Sequence, residues 1–336
     1  MRVPKFDPPE VTEKPQATWV TQIRQYELIT PLFGGGVNPT EVDPVTVVRA
    51  TEIRGHLRFW WRATQGGKFG DDLARMKQAE DELFGRAAVE GRSGPSQVQV
   101  VITKWNVMGT DQPFEVVAGK SDGLRQKPKI QSRKDSKVPP YAAFPLQPEQ
   151  KDAKIGMATK AVTIGVSFVF EIVFPKTHQI DIEAALWAWE SFGGLGARTR
   201  RGFGALQLLS INNVPVPLPE ASQLEPYFQK KLAQYVIEGI WPTDVPHLHR
   251  TISEQTKRYL KTTQASQNPI DCWKDLIEKL KSFRQKRNPR GEGRSKWPEP
   301  DEIRRLTDRK SPDHRTPLSE IEKFPQIGRA SCRERV

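Results

Sequence analysis

Between Gly193 and Gly204 the chain reads Gly-Gly-Leu-Gly-Ala-Arg-Thr-Arg-Arg-Gly-Phe-Gly, five glycines and three arginines in twelve residues. Glycine lets a backbone turn sharply and approach another backbone closely. Arginine presents a planar fork of N–H donors that matches phosphate oxygens. The segment contains no acid to neutralise Arg198, Arg200 or Arg201. Its chemistry is therefore anion contact: Gly193, Gly194, Gly196 and Gly202 let backbone N–H groups lie near a nucleic-acid backbone, and the arginines hold its phosphates. A glycine-rich turn with solvated arginines is the plainer alternative. The segment is not a dinucleotide fingerprint, which opens a helix after a strand, nor a P-loop, because no Gly-Lys-Ser/Thr follows.

A second basic set is Arg54, Arg58 and Arg62, four residues apart. At about 100° per residue, Ile53, Leu57, Trp60, Trp61 and Thr64 share one arc of a helix and the three arginines lie beside it. One face would pack on a sheet and the adjoining one would contact phosphates or a partner subunit. The alternatives are a solvated face or arginine stems lying over the tryptophans. Trp60 and Trp61 could stack on bases, though core packing explains them too.

Acid–base and metal chemistry have few carriers. Of His56, His178, His247, His249 and His314, only His56, set between arginines, is a candidate general acid or base. His247 and His249 lack a third ligand nearby, and no paired carboxylates mark a metal site. Cys272 and Cys332 are the only cysteines, too few for a disulfide framework or a zinc site. No catalytic residue, metal ligand or cofactor is assigned.

These residues need elements to position them. Residues 18–30 read as a first strand, ended by Pro31 and Gly34-Gly35-Gly36. Residues 47–64 form the best helix and 71–83 a second. Residues 97–105 and 162–174 are strands. Asp181 should cap a helix over 182–192, and 203–211 is the closing strand. Residues 119–140, with Lys127, Lys129, Arg133, Lys134 and Lys137, read as a long exposed basic loop. This succession is β-α-β-β-α-β, a ferredoxin-like arrangement of α+β class with helices on one sheet face and the other open. Residues 224–240, 251–262 and 271–287 read as helices, the last with Trp273, Leu276, Ile277, Leu280 and Phe283 as its apolar stripe. A basic run follows over 281–290, and 288–326 is polar and proline-rich.

The 336 residues include 52 Lys and Arg against 40 Asp and Glu, a net charge of +12, which favours an anionic partner. No apolar run approaches the roughly 20 residues that span a bilayer, and the N-terminus has no signal core. A cytoplasmic protein without membrane contact is expected. Residues 327–336 match the translation of a common sequencing adapter and are expected to be foreign to the protein; without them the net charge is about +10. The expected organisation is a disordered 1–17, a ferredoxin-like domain over 18–213, a helical or partial second domain over 214–326, and the foreign tail.

Three segments carry a resemblance: Ile29-Thr-Pro-Leu-Phe-Gly-Gly-Gly36, Ile53-Arg-Gly-His-Leu-Arg-Phe-Trp-Trp-Arg-Ala63 and Phe192-Gly-Gly-Leu-Gly-Ala-Arg-Thr-Arg-Arg-Gly-Phe-Gly-Ala205, with Leu83-Phe-Gly85 as a weaker fourth. Over about 18–211 they resemble the RAMP superfamily, and within it the first-named subunit family of type III-B CRISPR (Cmr) effector complexes. The resemblance implies ferredoxin-like (RRM-like) domains, assembly with CRISPR RNA and other Cmr subunits, capture of target RNA, and no nuclease activity. It also implies a second ferredoxin-like domain, for which this sequence leaves little room, so that domain is expected to be truncated. The competing readings are a RAMP endoribonuclease that processes precursor CRISPR RNA with His56 as general acid or base, and a scaffold that touches only protein.

Overall fold

The computed structural model describes residues 18–285 apart from 37, 39, 90–91, 123–124, 243–244 and 252–267. The expectations for 1–17, for the helix at 251–262 beyond Thr251, for the basic run beyond Gln285, for 288–326 and for the adapter-like 327–336 lie outside the described residues. In chain order the elements are β1 (Trp19–Leu28), α1 (Ala50–Gln65), α2 (Leu73–Phe84), β2 (Arg86–Val89), β3 (Arg92–Gly94), β4 (Gln99–Asn106), β5 (Gly109–Asp111), β6 (Phe114–Asp122), β7 (Arg125–Ser132), β8 (Val162–Ile164), β9 (Ser167–Pro175), α3 (Gln179–Phe192), β10 (Leu206–Ile211), β11 (Val214–Pro215), α4 (Leu224–Tyr235) and α5 (Pro269–Arg284).

Alternation of apolar residues obliges a strand to bury one face. In β9 those residues are Phe168, Phe170, Ile172 and Phe174, all buried. β9 is accordingly interior to a five-stranded sheet of order β11-β10-β1-β9-β4. Its pairings with β1 and β4, and that of β1 with β10, are antiparallel. Ile53, Leu57 and Trp61 of α1 and Ile182, Ala185, Leu186 and Trp189 of α3 pack with these strands in one core. α3 is apolar on nearly every side because its outer flank is covered too: Trp187 and Ala188 cluster with Leu232 and Val236 at α4.

β1 buries the face that its apolar residues do not suggest. Gln22, Arg24 and Tyr26 are buried, whereas Trp19 and Ile23 are 48% and 39% exposed. The reason lies about 160 residues away. Arg24 pairs with Glu190 of α3 at 2.6 Å, and the Tyr26 hydroxyl donates to the same carboxylate. Gln22 donates to Glu183 and accepts from Arg24 Nε. Burial would lower the Arg24 guanidinium, but Glu190 and Tyr26 outweigh it and hold it above its ordinary value. Burial, and then Glu190, push the Tyr26 hydroxyl well above its own.

Two expectations are corrected. The basic loop at 119–140 is in its first half a hairpin, β6 paired antiparallel with β7, with Phe114 and Val116 buried at its base and Lys120, Lys127 and Lys129 exposed. α3 starts at Gln179, so Asp181 lies inside its first turn, where it accepts from Lys68 at 2.6 Å instead of capping the helix. The described residues divide into two compact units between Ile270 and Asp271, and within the first α4 packs on α3. Of the apolar stripe expected in α5, Trp273 and Ile277 are buried and Leu276 and Phe283 exposed.

Candidate nucleic-acid interface

The glycine-arginine segment bridges α3 and β10, and its apolar residues anchor it. Leu195 and Phe203 are fully buried, and the Phe203 ring meets Phe33 edge-on at 5.1 Å. Backbone bonds close it: Leu195 N–H donates to Gly204 O at 2.9 Å, Ala197 N–H to Phe33 O at 2.8 Å and Gly204 N–H to Pro31 O at 2.9 Å. The Pro31–Gly36 segment thereby forms one wall, with Gly35 against Gly196. Two glycines are obligatory. Gly204 has φ +63°, and a Cβ there would sit 1.9 Å from Leu195 O; Gly196 has φ +80°, and a Cβ would sit 2.9 Å from Phe33 O.

The arginines differ in their surroundings. Arg198 adopts a left-handed backbone, donates from Nε to Ala142 O at 2.9 Å and lies over the Phe33 ring. Arg200 is exposed and has no carboxylate partner among the described residues. Arg201 is half-buried, and its N–H closes a turn onto Arg198 O. The turn Thr199–Arg201 folds back over the start of the segment, since a Cβ on Gly194 would lie 3.0 Å from the Thr199 methyl. Gly193 is fixed by its N–H to Trp189 O, and Gly202 takes the left-handed conformation that ends the turn.

The α1 arginines do not join this cluster. Arg58 binds Glu80 at 2.7 Å and Asp81 at 3.0 Å, and Arg62 binds the other Glu80 oxygen at 2.7 Å. Both therefore fasten α1 to α2. Arg54 is half-buried and has no such partner among the described residues. The α1 residue that does reach the glycine segment is Glu52, which accepts the Gly196 N–H at 2.6 Å. At about 100° per residue Glu52 and Arg54 lie roughly 200° apart, on opposite sides of α1. Trp61 is buried in the core and Trp60 half-buried.

His56 sits beside Glu52, with Nε2 3.5 Å from that carboxylate, buried and without a hydrogen bond, and its ring stacks on Trp189. That is the setting of a packed side chain. Among the described residues no group of three or more His, Cys, Asp or Glu could hold a metal ion, and no helix is long and apolar enough to cross a membrane.

Sequence reasoning missed Glu52 and the carbonyl of Ala142. Glu52 had a faint signal, being the acid one turn before His56 in the helix beside the motif. Ala142 had none, since a backbone carbonyl leaves no trace in residue type.

The glycine-arginine loop between α3 and β10 falls inside a segment that matches a known family. The model of the RAMP superfamily matches residues 25–207, more than half of the chain, and the chain belongs to that superfamily. It is 25% identical over 196 residues to the CRISPR system Cmr subunit Cmr1-2 of Pyrococcus furiosus, covering 56% of this chain and 95% of that protein. It is 27% identical over 167 residues to Cmr1-1 of the same organism, covering 49% of this chain and 42% of that one. The chain thus spans nearly all of one relative and less than half of the other. Among solved structures it resembles apo Cmr1 from Pyrococcus furiosus, with a TM-score of 0.43 at 17% identity over 79% of this chain and 72% of that one. It also resembles a chain of the type III-B Cmr-beta complex bound to cognate target RNA, with a TM-score of 0.41 at 14% identity over 66% and 64%.

Proposed function

We propose that the chain is a non-catalytic, RNA-binding subunit of a cytoplasmic type III-B CRISPR (Cmr) ribonucleoprotein effector complex, touching CRISPR RNA, target RNA and other Cmr subunits. Membership of the RAMP superfamily and the two Cmr relatives support the assembly. The observation that carries the RNA contact is the loop itself: buried Leu195 and Phe203 hold it rigid while Arg200 is exposed. A preformed loop loses little conformational entropy on binding, so more of the phosphate attraction is kept as affinity.

The contacts are Arg198, Arg200 and Arg201, backbone N–H groups about Gly193, Gly194, Gly196 and Gly202, and Arg54 further off. Arg58 and Arg62 act by holding α1 on α2. Phosphate contact positions RNA without reading it, so sequence is read by guide–target pairing. We read β1-α1-β4-β9-α3-β10, with sheet order β10-β1-β9-β4, as the ferredoxin-like (RRM-like) β-α-β-β-α-β RAMP domain over 18–213, in which β2–β3 and β5–β8 are insertions. The packing of His56 gives the endoribonuclease reading no support.

The test is the salt dependence of single-stranded RNA binding by the full chain. Each single-strand phosphate contact contributes about 0.7 to the slope of log K against log salt, so Arg200→Ala with Arg201→Ala should flatten it by about 1.4 for any RNA sequence. An unchanged slope would remove the loop from the RNA path.

A further inference from the structure

Beside the loop lies an aromatic surface for which a phosphate track has no use. Phe192 ends α3 and directly precedes Gly193. Its ring is held on three sides, by Trp187 at 5.6 Å, Phe228 at 5.6 Å and Trp60 at 6.1 Å, yet it is 44% exposed. Phe59, edge-on to Trp60 at 5.0 Å, is 40% exposed. Trp60 joins this surface to the loop, because a Cβ on Gly193 would come within 2.9 Å of Trp60 Nε1.

We propose that Phe192, Phe59 and Trp60 form a stacking platform for a base of the same RNA strand whose phosphates the loop holds. The proposal rests on the RNA-binding reading and extends it from phosphates to bases. Its warrant is the short distance between unlike surfaces. The arginine turn folds onto Gly194, two residues after Phe192, and two residues of chain span at most about 7 Å. The two surfaces thus adjoin along the backbone, and a ligand that covers both offers negative charge and a flat apolar face in close succession. An RNA strand does so at every residue. Stacking tolerates any base because each has a π face, which suits a strand that the protein does not read. The rings are already ordered by their neighbours, so a base meets a preformed surface.

The experiment compares two single-stranded RNAs of equal length, one fully base-bearing with a 2-aminopurine reporter and one with abasic residues at central positions. The full wild-type chain is expected to prefer the base-bearing strand about tenfold and to quench the reporter. Phe192→Leu, which keeps apolar bulk, should abolish both preference and quenching and leave the salt slope unchanged. Phe192→Tyr, which keeps the π face, should retain them, and Phe59→Leu should lose part. Equal wild-type binding of the two strands would overturn the proposal. So would a Phe192→Leu variant that binds both RNAs as the wild type does but loses association with a partner protein, since the surface would then be a protein interface. Absent or salt-independent binding of both strands would overturn the RNA-binding reading itself, and the platform with it.

Discussion

The chain carries two trios of arginine that look alike in composition, Arg54, Arg58 and Arg62 on α1, and Arg198, Arg200 and Arg201 in the glycine loop. Their surroundings divide them. The helix trio is followed at once by α2, whose buried Glu80 takes Arg58 on one oxygen and Arg62 on the other. The loop is reached by Glu52, but that carboxylate accepts the N–H of Gly196 and leaves Arg200 exposed. An arginine's role is thus decided by where the fold delivers its acids. Guanidinium groups given a buried carboxylate become fasteners, while one held among backbone bonds stays available to an outside anion.

That division can be broken from the loop side first. Gly204→Ala puts a Cβ 1.9 Å from the Leu195 carbonyl at φ +63°, so the closing bond between Leu195 and Gly204 cannot survive. A clash with backbone at a left-handed position should cost about 3 kcal/mol, a fall in melting temperature of about 6–12 °C. RNA affinity should drop with it, as the arginines lose their frame. If the variant melts as the wild type does, the loop is not a rigid frame.

From the helix side, Glu80→Ala leaves Arg58 and Arg62 without their shared carboxylate. Both guanidiniums are partly solvated, so the loss should be about 2 kcal/mol, below that of a fully buried pair. Thermal unfolding would measure it, and the RNA salt slope should not move. A steeper slope would show the freed arginines reaching phosphates, and the two trios would then differ in degree only.

The same contrast explains how far the sequence could be read. β9, α1 and α3 were legible because burial imposes a period, as in Phe168, Phe170, Ile172 and Phe174, and period is a local property. The glycine-arginine loop was legible because its residue types are unusual. Partner choice was not. Gln22 and Arg24 occupy the buried face of β1 because Glu183 and Glu190 arrive from α3, and nothing near β1 announces that. Arg58 and Arg62 formed a visible row, but its meaning lay in the facing of Glu80 and Asp81, set by how α2 returns onto α1. The β6–β7 hairpin escaped because Lys120, Ser121, Gln126, Lys127 and Lys129 in its outer half are exposed, which leaves no apolar alternation to read.

A smaller perturbation separates rigidity from charge within the loop. Glu52→Gln keeps an oxygen able to accept the Gly196 N–H but removes the charge that strengthens the bond. Stability should fall by about 1 kcal/mol. RNA affinity should fall about two- to fourfold if positioning dominates, as measured by direct titration. A rise in affinity would mean that the RNA senses Glu52 as a repelling charge, and the carboxylate would then belong to the interface and not to its support.

The smallest effect tests whether delivered acids act alike elsewhere. Asp181, in the first turn of α3, accepts from Lys68 just beyond α1 and lies 3.7 Å from His178. Burial would raise its carboxyl, but the nearby His178 ring and the hydrogen bond from Lys68 outweigh it and hold the group below its ordinary value. A depressed carboxyl stabilises the fold above its unfolded value, about 3.9, and loses that contribution as pH falls through the folded value. Lys68 is about a third exposed, so the contribution should not exceed about 0.5 kcal/mol. The difference in melting temperature between wild type and Asp181→Asn should therefore be small and constant from pH 6 to 5, then shrink below pH 4. A difference that stays constant to pH 3 would mean the pair is a solvated contact, and that only buried carboxylates such as Glu80 turn this protein's cations into fasteners.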